Sequence, residues 1–196
     1  MITIKDFHLS NMELKIVVPV HIPEFVPIIE QWNIDNMVNQ GINIKTHFEK
    51  GDAPSGRNVR QKYTDIYAGT DNYIHWLDCD NLVNGQVFHW LEHHNYYKEP
   101  KIFMFSQIWW ANGPKRLEAK PENCVPCKCD IAQLFVHGSF LKDMVWTNDY
   151  INDGIFIQQL FEKYENDFIF INDVNVWYNA LKTNHGLYNG KVIQIA

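Results

Sequence analysis

Cysteine is scarce in this sequence and unevenly placed: Cys79 stands alone, while Cys124, Cys127 and Cys129 share the segment CVPCKC. No second CxxC pair and no HxxxH pair accompanies them, which falls short of the usual zinc framework. With no signal peptide expected, the cluster does not suit a secreted disulfide scaffold either. Two readings of the segment stay open: free thiols in a loop, or three thiolates completed on zinc by Cys79 or a histidine. Charge is sparse as well, at 20% of residues, with a formal net charge of -6 and a pI near 5.8. That balance excludes a broad nucleic-acid-binding face while allowing a local basic patch. The opening MITIKDFHLSNMELKIVVPV has no basic leader followed by an apolar core, and no apolar run approaches a transmembrane segment in length. A cytoplasmic location is expected, with attachment to a membrane surface left open. Repeats and low-complexity tracts are missing too, so little of the chain reads as disordered.

What is present is a foldable core: 46% hydrophobic residues in 196, enough for a single domain spanning 1–196. LKIVVPV (14 to 20) reads as a buried strand between prolines. Phe25, Ile28, Ile29, Trp32 and Met37 fall on one helical face, with Gly41 placed to end that helix. INIKTHF (42 to 48) alternates as a second strand and EKGDAPSG (49 to 56) is a loop. Val59, Tyr63, Ile66 and Tyr67 recur at helical spacing from Arg57 to Ala68, before Gly69. YIHWLD is a strand, VFHWLEHHNYY (87 to 97) a helix and KIFMFSQIWW (101 to 110) a strand. After a loop from Ala111 to Lys128 come a strand at 131 to 137, a helix over 153 to 164, a short strand at 168 to 172 and an irregular tail. This alternation predicts an α/β fold with a Rossmann-like, mixed and mostly parallel central sheet flanked by helices.

In YIHWLDCDNLV, two aspartates separated by one residue follow an apolar strand. Ligands of open α/β sheets bind outside the carboxyl ends of the strands, where Asp78 and Asp80 fall. In extended backbone, residues two apart project to the same side, so the pair can share a cation while Cys79 faces away. Carboxylates are hard donors suited to magnesium or manganese, which in turn bind phosphate oxygens. The plainer reading is a helix cap or a turn, both of which favour Asp.

Four segments in this order resemble the nucleotide-sugar glycosyltransferases of the GT-A fold, most closely the large inverting family 2: KIVVPVH, SGRNVRQKYTDIYAGTDNYIHWLDCDNLV, DIAQLFVHGSFL and INDGIFIQQLFEKYENDFIFINDVNVWYNAL. The resemblance implies a GT-A-like fold with a nucleotide-sugar-binding half (1–98) and an acceptor-binding half (99–196). It implies Mn2+ or Mg2+ on Asp78 and Asp80, Asp80 more directly, against a donor diphosphate, UDP being the commonest handle. Pro19, Val20 and His21 would lie near the nucleotide base, and Glu49 or Asp52 at the acidic base-binding position. Arg57 and Asn58 would line the donor pocket, and His185 would complete the metal shell.

An inverting transfer needs a base for the acceptor hydroxyl, and the family places an aspartate at a helix start. INDGIF offers Asp153, with Asn152 where the family usually has a second acid, and Asp149 is the nearby substitute. The plainer role for Asp153 is an N-cap. Asp130 and Gln133 match the start of the acceptor-side strand, and Trp109, Trp110 and Trp146 can serve as platforms for sugar rings. The acceptor itself is not readable, and so compact a chain is expected to work with a partner protein or as an oligomer. Two other functions compete. A nucleotidyltransferase usually carries a glycine-rich, basic loop after its first strand, whereas PVHIPEFVP has neither glycine nor lysine. A non-catalytic nucleotide- or carbohydrate-binding protein of the same fold is the other.

Overall fold

The computed structural model describes residues 13–37, 43–51, 56–94, 99–109 and 114–181. Strands β1 (Leu14–Val20), β2 (Ile44–Lys50) and β3 (Tyr73–Trp76) alternate with helices α1 (Val26–Met37) and α2 (Arg57–Tyr67). Helix α3 (Gly85–His93) leads to β4 (Ile102–Trp109), β5 (Lys115–Leu117) and β6 (Leu134–His137), then α4 (Asn152–Tyr164) and β7 (Phe168–Tyr178). One seven-stranded sheet takes them in the order β2-β1-β3-β6-β4-β5, with β7 pairing β4 off that path. The long ladders, β1 with β2, β1 with β3 and β4 with β7, are parallel. The short ones made by β6 and β5 are antiparallel. The expected mixed, mostly parallel sheet flanked by helices is therefore present, and no helix among the described residues is long and apolar enough to cross a membrane.

Period-2 alternation decides what each face of the sheet buries. Leu14, Ile16 and Val18 of β1 pack with Phe25, Ile29, Val87, Phe88 and Leu91, so α1 and α3 cover one face. Val17, Ile74 and Trp76 pack with Val59, Phe156, Ile157 and Leu160, so α2 and α4 cover the other. Because both faces are covered, β1 is buried at six of its seven positions and reads as an apolar run interrupted only by Lys15.

Several boundaries differ from the sequence expectation for local reasons. The 131-to-137 strand begins as a 3-10 turn, because Asp130 and Gln133 form a reciprocal capping box over Ile131–Gln133. Helix α3 starts earlier than expected, at Gly85, where the Asn84 side chain accepts from the Gln86 amide. The expected end of that helix, at 95 to 97, and Gly41 lie outside the described residues. The loop from 111 to 128 contains β5, a three-residue strand antiparallel to β4. The tail is not irregular up to Tyr178: β7 shifts register where Phe105 pairs Ile171 and Ser106 pairs Asn175, then continues along β4.

Candidate active site

The adjacent parallel strands β1 and β3 end side by side, and the residues that follow them, His21, Asp78 and Asp80, line a cavity of about 650 Å3. Such a volume suits a small-molecule ligand. Further lining comes from α2 (Arg60), the β5 side (Arg116, Leu117), the loop before β6 (Asp130), the start of α4 (Asn152, Asp153, Gly154) and the end of β7 (Tyr178).

The segment carrying Asp78 and Asp80 is a turn. Extended backbone stops at Trp76, and the Asn81 amide donates to the Asp78 carbonyl at 2.9 Å. The expectation that extended geometry sets the two carboxylates on one side is thus corrected, since Asp and Asn favour closing the turn. The end of β7 fixes this turn in place. Trp177 and Leu181 amides donate to the carbonyls of Leu82 and Asp80, and the Asn179 amide donates to Oδ1 of the buried Asn81 at 2.7 Å.

What converges is a different acidic set. Ligand oxygens of Asp78, Asp130 and Asp153 all lie within 4.8 Å of one another. Asp80 lines the same cavity but is not in that group. Between the carboxylates sits Arg60, its side chain 3% exposed, donating from Nη2 to Asp78 and from Nη1 to Asp153. Its guanidinium carbon also lies 5.0 Å from the centre of the Trp146 ring. Asp130 accepts from the Ala132 amide at 3.0 Å and from Arg116 Nη1 at 3.1 Å.

Burial sets the protonation behaviour here, since it penalises the charged form. Desolvation pushes the Asp130 carboxyl up to about 7, with Asp153 and Asp78 adding to the rise. Desolvation also raises Asp153, against the pull of Arg60. Arg60 resists its own burial because Asp153, Asp78 and Asp130 hold its charge in place. One consequence is a stability change with pH. An unfolded Asp titrates near ~3.9, below Asp130 in the fold at about 7. Protonated Asp130 therefore contributes stability that is fully present below about pH 4 and is lost as the pH rises through about 7. Asp130→Asn should gain on the parent by a few kcal/mol between about pH 4 and about pH 8. Denaturant unfolding of both proteins at the two pH values measures this, and a constant difference would contradict it.

The other sequence candidates are distributed unevenly. Pro19 and Val20 close β1, and Pro19 packs so tightly on Gly56 (φ 63°) that a Cβ there would sit 2.3 Å from its own. Glu49 pairs with Lys62 at 2.6 Å and does not line the cavity. Arg57 also faces away, donating from Nε to the Trp146 carbonyl at 2.8 Å, and Asn58 is exposed. The α2 residue that reaches the cavity is Arg60, one turn on. Its signal was available: it shares a stripe with the buried Thr64 and Tyr67, and an arginine on a buried stripe calls for carboxylate partners.

Gln133 is fully buried, donating to the Phe105 carbonyl at 2.9 Å while bracing Asp130, so it supports the wall and does not face a ligand. Trp146 is equally buried, stacked on Phe156 at 4.2 Å with its indole N–H on Thr64, which removes it as a sugar platform. Trp109 packs edge-on to Tyr178 at 4.9 Å, and it is Tyr178 that lines the cavity. Tyr150, 92% exposed, stands at the same cavity. Asp153 is in the first turn of α4 and does not cap it. Asp149 is exposed and offers its carbonyl to the Asn152 amide. Asp52, Trp110 and His185 lie outside the described residues.

The CVPCKC thiols do not gather. Burial pushes Cys124 up to about 12 and raises Cys129 as well. Cys129 donates to the Val125 carbonyl at 3.2 Å, and no metal-ligating group among the described residues includes a cysteine. The segment instead braces α4: a Cβ on Gly154 would come within 2.5 Å of Pro126 Cα, so glycine lets the loop lie against the helix turn that carries Asp153.

Comparison with known proteins adds fold likenesses. No protein-family model and no curated protein matches the sequence. Among solved structures, the chain is similar to S. aureus TarS 1-349, at 11% identity and a TM-score of 0.49, covering 86% of this chain and 58% of that one. It is also similar to a glycosyltransferase involved in the glycosylation of the major capsid of PBCV-1, at 13% identity and a TM-score of 0.45, covering 82% and 81%. TarS 1-349 in complex with UDP-GlcNAc aligns at 10% identity with a TM-score of 0.43. The chain thus spans less than two thirds of the TarS structure's length.

Proposed function

We propose that this chain is a metal-dependent glycosyltransferase that moves a sugar, with inversion, from a nucleotide-diphosphate sugar to a hydroxyl acceptor. A UDP-sugar is the favoured donor and Mn2+ or Mg2+ the cofactor. One observation carries the reading: Asp78, Asp130 and Asp153 converge around a single buried arginine in a cavity at the carboxyl ends of parallel strands. The residues fit a divalent ion. Three hard oxygen donors converge there, Asp78 and Asp153 sharing Arg60 while Asp130 pairs with Arg116, so three carboxylates meet two guanidinium groups. Asp78 and Asp130 would hold the ion, with Asp80 reaching the same cavity from the turn. A divalent ion held by these residues would supply positive charge to offset that of a departing diphosphate.

The chain's own groups account for the rest. Arg60 holds one oxygen of Asp153 and the Ile131 amide donates to the other at 3.5 Å, fixing a carboxylate that lines the cavity. In the transfer, the acceptor oxygen forms a bond to the anomeric carbon from the face opposite the diphosphate. The old carbon–oxygen bond breaks, its electron pair leaves with the diphosphate, and the acceptor proton passes to Asp153. A carboxylate whose affinity for protons is raised by burial suits that role.

A thermal-shift series with UDP, GDP and their sugars, with and without Mn2+, tests the reading. Donor at about 100 times its Kd should add about 2.7 kcal/mol by mass action, roughly 5 to 10 °C for a chain of this size. The reading fails if no nucleoside diphosphate moves the melting temperature in the presence of Mn2+.

A further inference from the structure

Beside the acidic cavity of this acidic chain lies a shallow recess of about 370 Å3 with the opposite charge. Lys115, Arg116 and Lys128 line it, against Glu118 as the one carboxylate. Arg116, Leu117 and Cys127 line both spaces, so the two adjoin. Arg116 is fixed at the boundary by Gln107 and Asp130, with its guanidinium 3.7 Å from the centre of the Tyr178 ring. Glu118 offers little neutralisation: Lys115 is 3.7 Å from it, and Lys120 takes its other oxygen at 3.2 Å. Lys128 is exposed and makes no ion pair among the described residues. With Arg116 set against Asp130 and Lys115 against a Glu118 shared with Lys120, the recess keeps a modest excess of positive charge centred on Lys128, which an oxyanion complements.

The position of the recess says which substrate it serves. Asp78 and Asp80 follow β3, whereas β5 is at the far end of the sheet order, beyond β6 and β4. An anionic molecule bringing a hydroxyl to Asp153 would be repelled by the acidic trio unless a nearby counter-charge offset it, and the recess supplies one.

We propose that the recess holds the anionic group of the acceptor, so that the acceptor is a phosphate- or carboxylate-bearing sugar or polyol. This rests on reading the adjoining cavity as the donor and transfer site. Glucose 6-phosphate, glucuronate and glucose serve as probes, with binding to the full chain followed by saturation-transfer NMR in EDTA. The parent is compared with Lys115→Glu/Lys128→Glu and with the milder Lys115→Gln/Lys128→Gln, and the UDP and Mn2+ thermal shift is recorded on each protein. The phosphate or the carboxylate probe, or both, should bind at least tenfold better than glucose, and whichever binds identifies the anion. Charge reversal should remove that preference and neutralisation should weaken it, with the UDP and Mn2+ shift unchanged. Anionic probes that bind no better than glucose, or that bind the reversed variant equally well, would overturn the proposal. Loss of the UDP shift together with probe binding in the folded Gln variant would also overturn it, by assigning the recess to the donor. Probe binding that depends on both lysines in a parent showing no UDP shift supports the anion site and removes only the donor reading.

Discussion

Asp153→Asn should lower Mn2+-dependent release of nucleoside diphosphate from the donor by roughly 10² to 10⁴-fold, the usual contribution of a positioned general base. Release by hydrolysis is a suitable readout, because water arriving at the anomeric carbon needs the same proton acceptor as a sugar hydroxyl. The substitution keeps the side chain's shape and leaves Arg60 paired with Asp78, so the fold should be retained. The thermal shift with UDP and Mn2+ should persist, which separates loss of the base from loss of the donor site. Two results would count against the assignment. Retention of more than a tenth of the parent rate would show that Asp153 is not the base. A parent that binds donor with Mn2+ yet releases nothing would favour the non-catalytic binding protein.

Arg60→Met should destabilise the chain by about 3 to 5 kcal/mol, the cost of leaving buried charges without their partner. Methionine fills the aliphatic stem but leaves Asp78 and Asp153 without their shared cation, beside an Asp130 already raised by burial. The loss should be largest above about pH 7 and should shrink as the carboxylates take up protons. Adding Asp153→Asn to Arg60→Met should recover part of it, since residues of one ion-pair network couple by about 0.5 to 3 kcal/mol. Denaturant unfolding of the two single variants and the double variant closes the cycle. A loss below about 1 kcal/mol for Arg60→Met, or strictly additive variants, would show that the arginine does not hold the trio together.

Much of the fold was legible because burial and period coincide. β1 has both faces covered and so reads as an apolar run, and α2 shows its buried stripe at helical spacing. β5 was not legible: three residues, Lys115–Leu117, carry no period, and only pairing to β4 makes them a strand. In β7, NDVN interrupts the alternation where the ladder shifts register, so only the residues before it read as a strand, while VWY beyond it pairs normally.

In the site, Asp78 and Asp153 could be found because each sits where a strand or helix end meets a recognisable segment. Asp130 reads from the sequence as an acceptor contact. Its place among the carboxylates depends on a turn between β5 and β6 folding against α4, which no local pattern records. Trp146 shows the limit of composition: an indole suits a core and a sugar platform equally, and only the Phe156 stack and the Thr64 hydrogen bond decide.

The most direct measurement is a Mn2+ titration followed by electron paramagnetic resonance, with and without UDP, on the parent and on Asp78→Asn. The parent should bind one Mn2+ per chain, more tightly with UDP present, and the variant should lose both the ion and the effect of UDP. Mn2+ that stays free in the parent, or that binds the same with Asp78 replaced and UDP absent, would contradict a cation seated on these carboxylates to meet a sugar donor's diphosphate.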